Sequence, residues 1–449
     1  METFTLEGIL AQLRAALERD DLSGAVAIIA GLRPPDQAEL FSELEDREQF
    51  VLLPELHPND SADILEELDD EEAAELVAGL STETVIRIVD EMEPDEAADL
   101  LGDMPRERAI AVLAGLEDPD EVRPLLLHAD DSAGGLMTSD YLALRVRMTA
   151  GEALQAIREW QPDSENVYYL FVVDRFGRLA GVINLRQLVV AHPQTPLADI
   201  MDREVIRVRV GADQEECARL MARYDLLALP VVNGDDTLVG VVTFDDVMDV
   251  LEDEATEDIQ RLGGAQPLER PYLDTNVWTL ARKRIGWLLL LFLTATLTGS
   301  VMRLFEGVME SVVALAVFIP LLIGTGGNAG SQTTAIIIRE LATGEVEFGD
   351  ALRVWLHEAL VGLLLGLGMA AVAYARAITW ESDPALALTV SAAIMGIVLW
   401  ATSIGSLLPL VAARLRIDPT VVSGPAMSTL VDATGLFIYF TIARLLLGL

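Results

Sequence analysis

One carboxylate, Asp432, sits near the middle of an otherwise uncharged apolar run, Pro419–Ala443. A run of that length can cross a bilayer, whose hydrocarbon core takes about 20 apolar residues. A charged group at that depth costs roughly 2.5–3.5 kcal/mol on insertion scales, so it must face a protein interior or a water-filled path. Two chemistries fit: a helix–helix hydrogen bond made by a protonated acid, or a cation site in a pore. A second apolar run, Ser311–Ile338, is interrupted by Gly324-Thr325-Gly326-Gly327-Asn328-Ala329-Gly330-Ser331-Gln332. A Gly-rich string marks a phosphate loop only within a soluble βα unit, and none precedes this one. Inside a membrane span its glycines allow close backbone approach, and Asn328, Ser331 and Gln332 bring oxygens and amides to an interface or a pore.

The charges elsewhere divide the chain. Its 449 residues carry a formal charge of −41, and the residues before Ile285 hold −37 of it. A strongly acidic soluble part is thus joined to a nearly neutral apolar part. Nucleic acid is excluded as a partner of the first part, because phosphate binding needs a basic face. Acidic surfaces suit cations or simple solubility. The lone Cys217 rules out an intrachain disulfide and fits a reducing compartment. The N-terminal residues lack a basic stretch followed by an apolar core, so no signal peptide is expected. The four histidines are scattered, with no nucleophile–base pair and no metal-ligand spacing, which argues against an enzyme.

The elements that must position these residues read as follows. Residues 1–130 are helical and acidic throughout, with a short repeat. Ala62, Ala73, Val85, Ala97 and Ala109 recur at intervals of about a helix and a turn, each followed by an apolar residue (Leu65, Leu76, Ile88, Leu100, Leu113). Proline at a first helical turn, as at Pro58, Pro94 and Pro105, marks helix starts. One short helix per repeat cannot bury its own face, so an all-α superhelical domain is expected. From Leu136 the pattern becomes strand–turn–strand–helix and occurs twice, in Tyr168–Val189 and Leu226–Met248, each preceded by an amphipathic helix. The two copies resemble a tandem of CBS domains, over residues 136–200 and 201–257, and CBS pairs commonly bind an adenine nucleotide. The ribose-holding pattern of that family stands as Gly240, Thr243 and Asp246 in the second copy. Asn184 and Gln187 replace the hydroxyl and the carboxylate in the first. Thr243, Asp246 and Arg186 are the candidate nucleotide contacts, with ATP as the candidate ligand.

A charged stretch, Asp249–Gly264, lies in a long connecting segment, 244–275, that leads to five apolar spans within 283–449: Ile285–Met302, Ser311–Ile338, Leu356–Tyr374, Pro384–Ala413 and Pro419–Ala443. Arg282-Lys283-Arg284 precede the first span and place its N-terminal side in the cytoplasm. Arg339, Arg353, Arg414 and Arg416 flank the second and fourth inter-span loops, and an odd number of spans puts the C-terminus outside.

On the strings GTGGNAGSQ, DPTVVSGPAMSTLVDATG and EATEDIQRLG, and on the order of its parts, the chain resembles the MgtE magnesium channel family along its whole length. The resemblance implies a multidomain protein: an all-α N-domain, a tandem α/β CBS pair, a connecting helix and a five-helix transmembrane domain. It implies a homodimer in the inner or plasma membrane that imports Mg²⁺, closed when cytosolic Mg²⁺ binds its acidic domains. Asp432 matches the pore aspartate, with Gly424, Ser428 and Asn328 at pore-lining positions. Asp63, Asp95 and Asp99 match gating ligands of the helical domain, and Asp225, Asp246 and Asp249 their partners in the second CBS copy. Glu215, Glu254, Glu257 and Asp258 match further ligands near the dimer and membrane interface. Mg²⁺ dehydrates reluctantly, so a pair of aspartates related by a two-fold axis can hold it through water. A gradient-coupled carrier of Mg²⁺ or Co²⁺ and a membrane-tethered sensor without transport are the alternatives.

Overall fold

The computed structural model describes residues 6–68, 70–160, 169–268, 272–273, 275–422 and 424–449. Tyr168, at the start of the first CBS-like copy, lies outside them, as do residues 269–271 and 274 of the connecting segment. Contacts divide the chain into two units that meet at Glu252/Asp253.

The first unit opens with short helices: α1 (Leu6–Leu17), α2 (Leu22–Ile29), α3 (Pro34–Ser42), α4 (Asp46–Leu52), α5 (Pro58–Glu66), α6 (Asp70–Ala78), α7 (Thr82–Val89), α8 (Pro94–Asp103), α9 (Arg106–Leu113) and α10 (Pro119–Val122). Helices two places apart pack together, α3 on α5, α5 on α7, α7 on α9, α6 on α8, which is the superhelical arrangement. The repeat positions explain it. Ala62, Ala73, Val85 and Ala97 are buried, as are Leu65, Leu76, Ile88 and Leu100. A small residue at each crossing lets neighbouring axes approach, and the leucine one turn on fills the groove. Pro58 and Pro94 stand in the first turn of α5 and α8, as the sequence predicts, whereas Pro105 is the cap residue before α9.

Two similar α/β halves follow: β1 (Ala143–Arg145), α11 (Ala150–Trp160), β2 (Tyr169–Val173), β3 (Leu179–Asn184), α12 (Leu185–Val190) and α13 (Leu197–Ile200), then β4 (Val208–Arg209), α14 (Gln214–Tyr224), β5 (Ala228–Val232), β6 (Leu238–Thr243) and α15 (Phe244–Leu262). In each half the first strand pairs parallel with the second, and the second antiparallel with the third. The halves are laced together at their turns, where Leu179 N–H donates to Asp236 O at 3.0 Å and Leu238 N–H to Gly177 O at 3.1 Å. Gly177 has φ +79°, a conformation that side chains resist. The ribose-type positions do local work in both halves. Thr243 Oγ1–H and N–H donate to Asp246 Oδ2 at the start of α15. Asn184 Oδ1 accepts from Arg186 N–H at 2.8 Å, and Gln187 Oε1 accepts from Asn184 N–H at 3.1 Å. The amides of the first half therefore close a capping box on α12, whereas on α15 the Asp246 carboxylate alone does this work, accepting from Thr243.

Among its described residues the second unit holds five helices long and apolar enough to cross a membrane: α16 (Val277–Leu304), α18 (Ala314–Ala342), α19 (Ala351–Glu381), α20 (Pro384–Arg414) and α21 (Gly424–Leu447), with a short α17 (Glu306–Ser311) after the first. The connecting helix, α15, starts at Phe244 and runs unbroken to Leu262, because no Gly or Pro interrupts it. Two span boundaries differ from the sequence reading. The first span starts earlier, at Val277, where Asn276 Oδ1 caps Trp278 N–H at 2.9 Å, so Arg282-Lys283-Arg284 lie inside the helix. The last span starts later. Pro419–Val421 form a separate 3-10 turn capped by Asp418, and α21 begins only at Gly424.

Helices α18, α20 and α21 form the centre. A Cβ on Gly326 would lie 2.5 Å from Ile397 Cγ2 and 2.8 Å from Val431 Cγ1, and one on Gly405 would lie 2.7 Å from the carbonyl oxygen of Gly330. Small residues at these crossings bring backbones together where no water-driven force acts between helices. Tyr439, fully buried, donates to Leu315 O at 3.0 Å, and Phe305 stacks on Phe440 at 5.4 Å.

Candidate functional site

Two regions collect the residues singled out by the sequence, one in each unit.

In the second unit α18 and α21 pack against each other. Ser331 Oγ donates to Gly424 O at 3.0 Å and lies 3.5 Å from Ser428 Oγ, Gly327 packs on Ser428, and Gly326 packs on Val431. The contacts run in opposite directions along the two helices, which are therefore antiparallel. Gly424, Ser428 and Asp432 follow one another at four-residue spacing on α21, all half-buried, a stripe about 12 Å long. On α18 Gly324, Asn328 and Gln332 repeat the same spacing and are exposed. Among the described residues the Asp432 carboxylate makes no hydrogen bond and no ion pair. The α18 stripe therefore remains uncovered by this chain at membrane depth, beside a half-buried α21 stripe whose carboxylate has no partner among the described residues. Hydrocarbon does not tolerate that, so the surface must meet water or another copy. Gln332, one turn from Asn328, belongs to the same exposed face, whereas Ser331 turns toward α21.

At the start of α21, Asp418 accepts from Arg261 Nη1 at 2.7 Å and also caps Thr420. Arg261 pairs with Glu257 as well. Asp258 is held above the ordinary carboxylate range by partial burial, then by Asp418 and Glu254, with Arg261 opposing. Glu257, Asp258 and Asp418 thus share one acidic neighbourhood centred on a guanidinium.

In the first unit the acids of α5 and α8 meet the start of α15. Asp95 is 5% exposed and its Oδ1 has no hydrogen-bond partner among the described residues. Burial, then Asp246 and Glu93, push its carboxyl well above the usual range. Burial raises Asp99 to about 7, with Asp70 and Asp130 adding to it. Asp246 rises to about 6, mainly through burial and against the Thr243 hydrogen bond. Asp63 is raised by burial and by Asp60, and Glu67 by burial, Asp249 and Asp63. The fold therefore brings Asp63, Asp95, Asp99, Asp246 and Asp249 into one field. It adds acids the sequence did not mark. Burial and acidic neighbours raise Glu96 to about 9 and Glu93 to about 7, and Glu66 accepts from Glu93 N–H at 2.8 Å. Glu93 and Glu96 flank Asp95 within one helical turn, a signal that was legible. Among the described residues, no three acidic, histidine or cysteine side chains converge closely enough to hold a metal ion. The acids are gathered in one field without being closed into a cage.

Asp225 and Glu215 stand at the two ends of α14. Asp225 is the exposed C-cap of α14 with φ +51°, its N–H bonding to Met221 O. Glu215 lies in the exposed first turn of the same helix, its N–H held by Asp213 Oδ1 at 2.9 Å. Thr243 and Asp246 bond to each other, and Arg186 is exposed at the head of α12.

Comparison with known proteins gives a consistent picture. Residues 319–442 match the MgtE divalent cation transporter family, residues 32–131 the MgtE intracellular N domain, and residues 133–193 and 197–253 the CBS domain. The magnesium transporter MgtE of Thermus thermophilus is 47% identical over 73% of this chain and 72% of that protein. The magnesium transporter MgtE of Enterococcus faecalis is 36% identical over 73% of this chain and 72% of that protein. Among solved structures, the cytosolic domain of the Mg²⁺ channel MgtE in complex with ATP superposes with a TM-score of 0.51 at 39% identity. It covers 54% of this chain and 99% of that one.

Proposed function

The chain belongs to the MgtE family of divalent cation transporters, and from that premise we propose that it imports Mg²⁺ through a homodimeric pore in the plasma membrane. The relatives it resembles are named magnesium transporters, which makes Mg²⁺ the cargo. One observation carries the reading: the exposed stripe Gly324/Asn328/Gln332 on α18 beside the half-buried stripe Gly424/Ser428/Asp432 on α21, whose carboxylate has no partner among the described residues. A two-fold axis beside them sets two Asp432 carboxylates across a shared path and gives the stripes the aqueous surface they require. Two negative charges repel when the path is empty and are neutralised by one hydrated dication, so occupancy by a divalent ion is favoured over a monovalent one. Amides and a hydroxyl along the stripes hydrogen-bond the ion's water shell without stripping it.

The acidic field of the first unit serves as the sensor. Asp95, Asp99, Asp246, Asp63 and Asp249 are crowded, and burial and acidic neighbours push the carboxyls of Asp95, Asp99 and Asp246 up, a state that a divalent cation relieves. Glu254, Glu257 and Asp258 add acids along the end of α15, and Asp225 and Glu215 add acids at the two ends of α14. Cytosolic Mg²⁺ then acts as the ligand that favours a closed arrangement, and its free energy of binding is the coupling. The ATP-bound relative supports a nucleotide at the CBS pair, with Thr243, Asp246 and Arg186 as its contacts. The basic residues Arg282, Lys283 and Arg284 at the base of α16 support a cytoplasmic N-terminal side.

The test is Mg²⁺ uptake into proteoliposomes with no pH or sodium gradient, for the natural chain and for Asp432→Asn. Uptake by the natural chain alone supports a pore that uses this aspartate. Uptake that starts only when a gradient is imposed replaces the pore by a coupled carrier. Equal uptake in the variant removes Asp432 from the path, and no uptake by folded protein under any gradient leaves a sensor without transport.

A further inference from the structure

A second carboxylate lies within the apolar spans. Glu358 is half-buried on α19, about 11 Å along that helix from its start. Its Oε2 accepts a hydrogen bond from Thr333 Oγ1 on α18 at 3.1 Å. Thr333 is 5% exposed and its neighbour Thr334 fully buried, with Thr334 Oγ1 donating to Gly405 O on α20 at 3.3 Å. Two residues earlier, Ser331 Oγ donates to Gly424 O on α21. Successive helical residues are turned by about 100°, so these three short side chains point to three different neighbours. Helix α18 is thereby held from three sides within one turn, directly after the exposed face that carries Asn328 and Gln332.

We infer that Glu358 is a positioning residue: through Thr333 it sets the rotation of α18 about its own axis and so the aim of Asn328 and Gln332. The other two bonds end on backbone oxygens, which no substitution removes, and on α19 it is the Glu358 side chain that receives the bond. A carboxylate is otherwise expensive at this depth, and a satisfied partner together with a functional role accounts for its presence. The residue does not touch the cation in this assignment. It acts through helix geometry, and the inference rests on the reading of the α18 stripe as part of the ion path.

Two measurements in a Cys217→Ser background decide it. The first compares labelling by a water-soluble thiol reagent at Asn328→Cys and at Ala329→Cys. Glu358→Leu and Thr333→Val should each change the ratio of the two rates at least threefold, and Glu358→Gln and Thr333→Ser, which keep an acceptor and a donor, should restore it. The second compares Mg²⁺ and Co²⁺ uptake, whose ratio should shift at least threefold in Glu358→Leu and return in Glu358→Gln. Unchanged labelling ratios in folded Glu358→Leu and Thr333→Val overturn the inference, as does failure of the conservative variants to restore them. If the natural chain moves no Mg²⁺, the transport reading falls, while the labelling ratio still judges Glu358.

Discussion

Asp418 is gripped at both oxygens: Oδ2 lies 2.7 Å from Arg261 Nη1, and Oδ1 accepts the Thr420 N–H at 2.8 Å and its hydroxyl at 2.6 Å. The end of α15 is thereby tied to the turn that starts the last span. Arg261 stands between Glu257 and Asp418 where a divalent cation would otherwise be the natural bridge. Replacing Arg261 by Gln should loosen this tie in Mg²⁺-free buffer. A partly exposed ion pair contributes about 0.2–1 kcal/mol, so amide exchange at the end of α15 should rise by no more than about fivefold. Added Mg²⁺ should bring exchange back toward the natural rate. Exchange that ignores both the substitution and the ion would show that the pair fastens nothing.

The acids of the first unit predict a pH dependence with a definite sign. Glu96, Glu93, Asp99 and Asp246 titrate at about 9, 7, 7 and 6 in the fold, above the region near 4 where unfolded carboxyls titrate. The folded chain therefore holds more protons than the unfolded one. The stability these groups contribute is fully present below about pH 4 and is lost as pH rises through 6 to 9. Protons and Mg²⁺ compete for the same oxygens, so the Mg²⁺ concentration that protects Arg106, just after α8, from trypsin should fall steadily between pH 6 and pH 8. A midpoint independent of pH would detach the acids from the sensor.

Asp95→Asn tests the most buried of them. The substitution removes a carboxyl whose ionised form is unfavourable here, while keeping the size and an acceptor. Melting of the full chain in Mg²⁺-free buffer should rise by a few degrees, since about 1 kcal/mol corresponds to roughly 2–4 °C in a unit of this size. The upward shift produced by Mg²⁺ should shrink at the same time. A fall in melting temperature would mean that the Thr138 hydrogen bond to Asp95 outweighs the relief of burial and repulsion.

Gly405→Ala tests the crossing of α18 and α20. The new Cβ would stand 2.7 Å from the carbonyl oxygen of Gly330, a backbone atom that cannot swing aside. Overpacking of this kind costs about 1–3 kcal/mol and should lower the detergent-solubilised melting temperature. Gly324→Ala, where no atom lies within 4 Å, should leave that temperature unchanged.

Arg186→Ala tests the nucleotide proposal without touching the fold. The side chain is exposed, and the cap on α12 uses only its backbone N–H. ATP affinity measured by calorimetry should drop at least tenfold with no change in melting temperature. Unaltered affinity would move the phosphate contact elsewhere.

What the sequence made legible follows its strongest periodicities. The alanines and leucines of the helical repeat pointed to the buried crossings, because a small residue recurring at helix-plus-turn spacing marks where one short helix lies against the next. Asp432 stood out because hydropathy falls at one residue within a uniform run. Glu358 did not, although it lies inside the expected third span. It falls close to the start of that span, beside His357, where charge reads as the edge of a membrane segment. Its partner Thr333 is on another helix, and pairing between helices leaves no periodic trace. The capping roles of Asn184 and Gln187 were hidden for a different reason. Judged against a ribose-binding pattern they look like losses, whereas locally they meet the same demand for hydrogen bonds as Thr243 and Asp246.

The first apolar helix has no buried residue, and among the membrane helices its substantial packing is against the last, α21. During synthesis α16 reaches the bilayer while the helix it leans on has not yet been made. It must therefore wait, lipid on all sides, until some 120 further residues have been inserted. Closure of this bundle is postponed to the end of translation. A chain cut short before Gly424 would lose the acid of its path and leave its first helix adrift as well, handing quality-control proteases an unanchored segment in place of a partly working transporter.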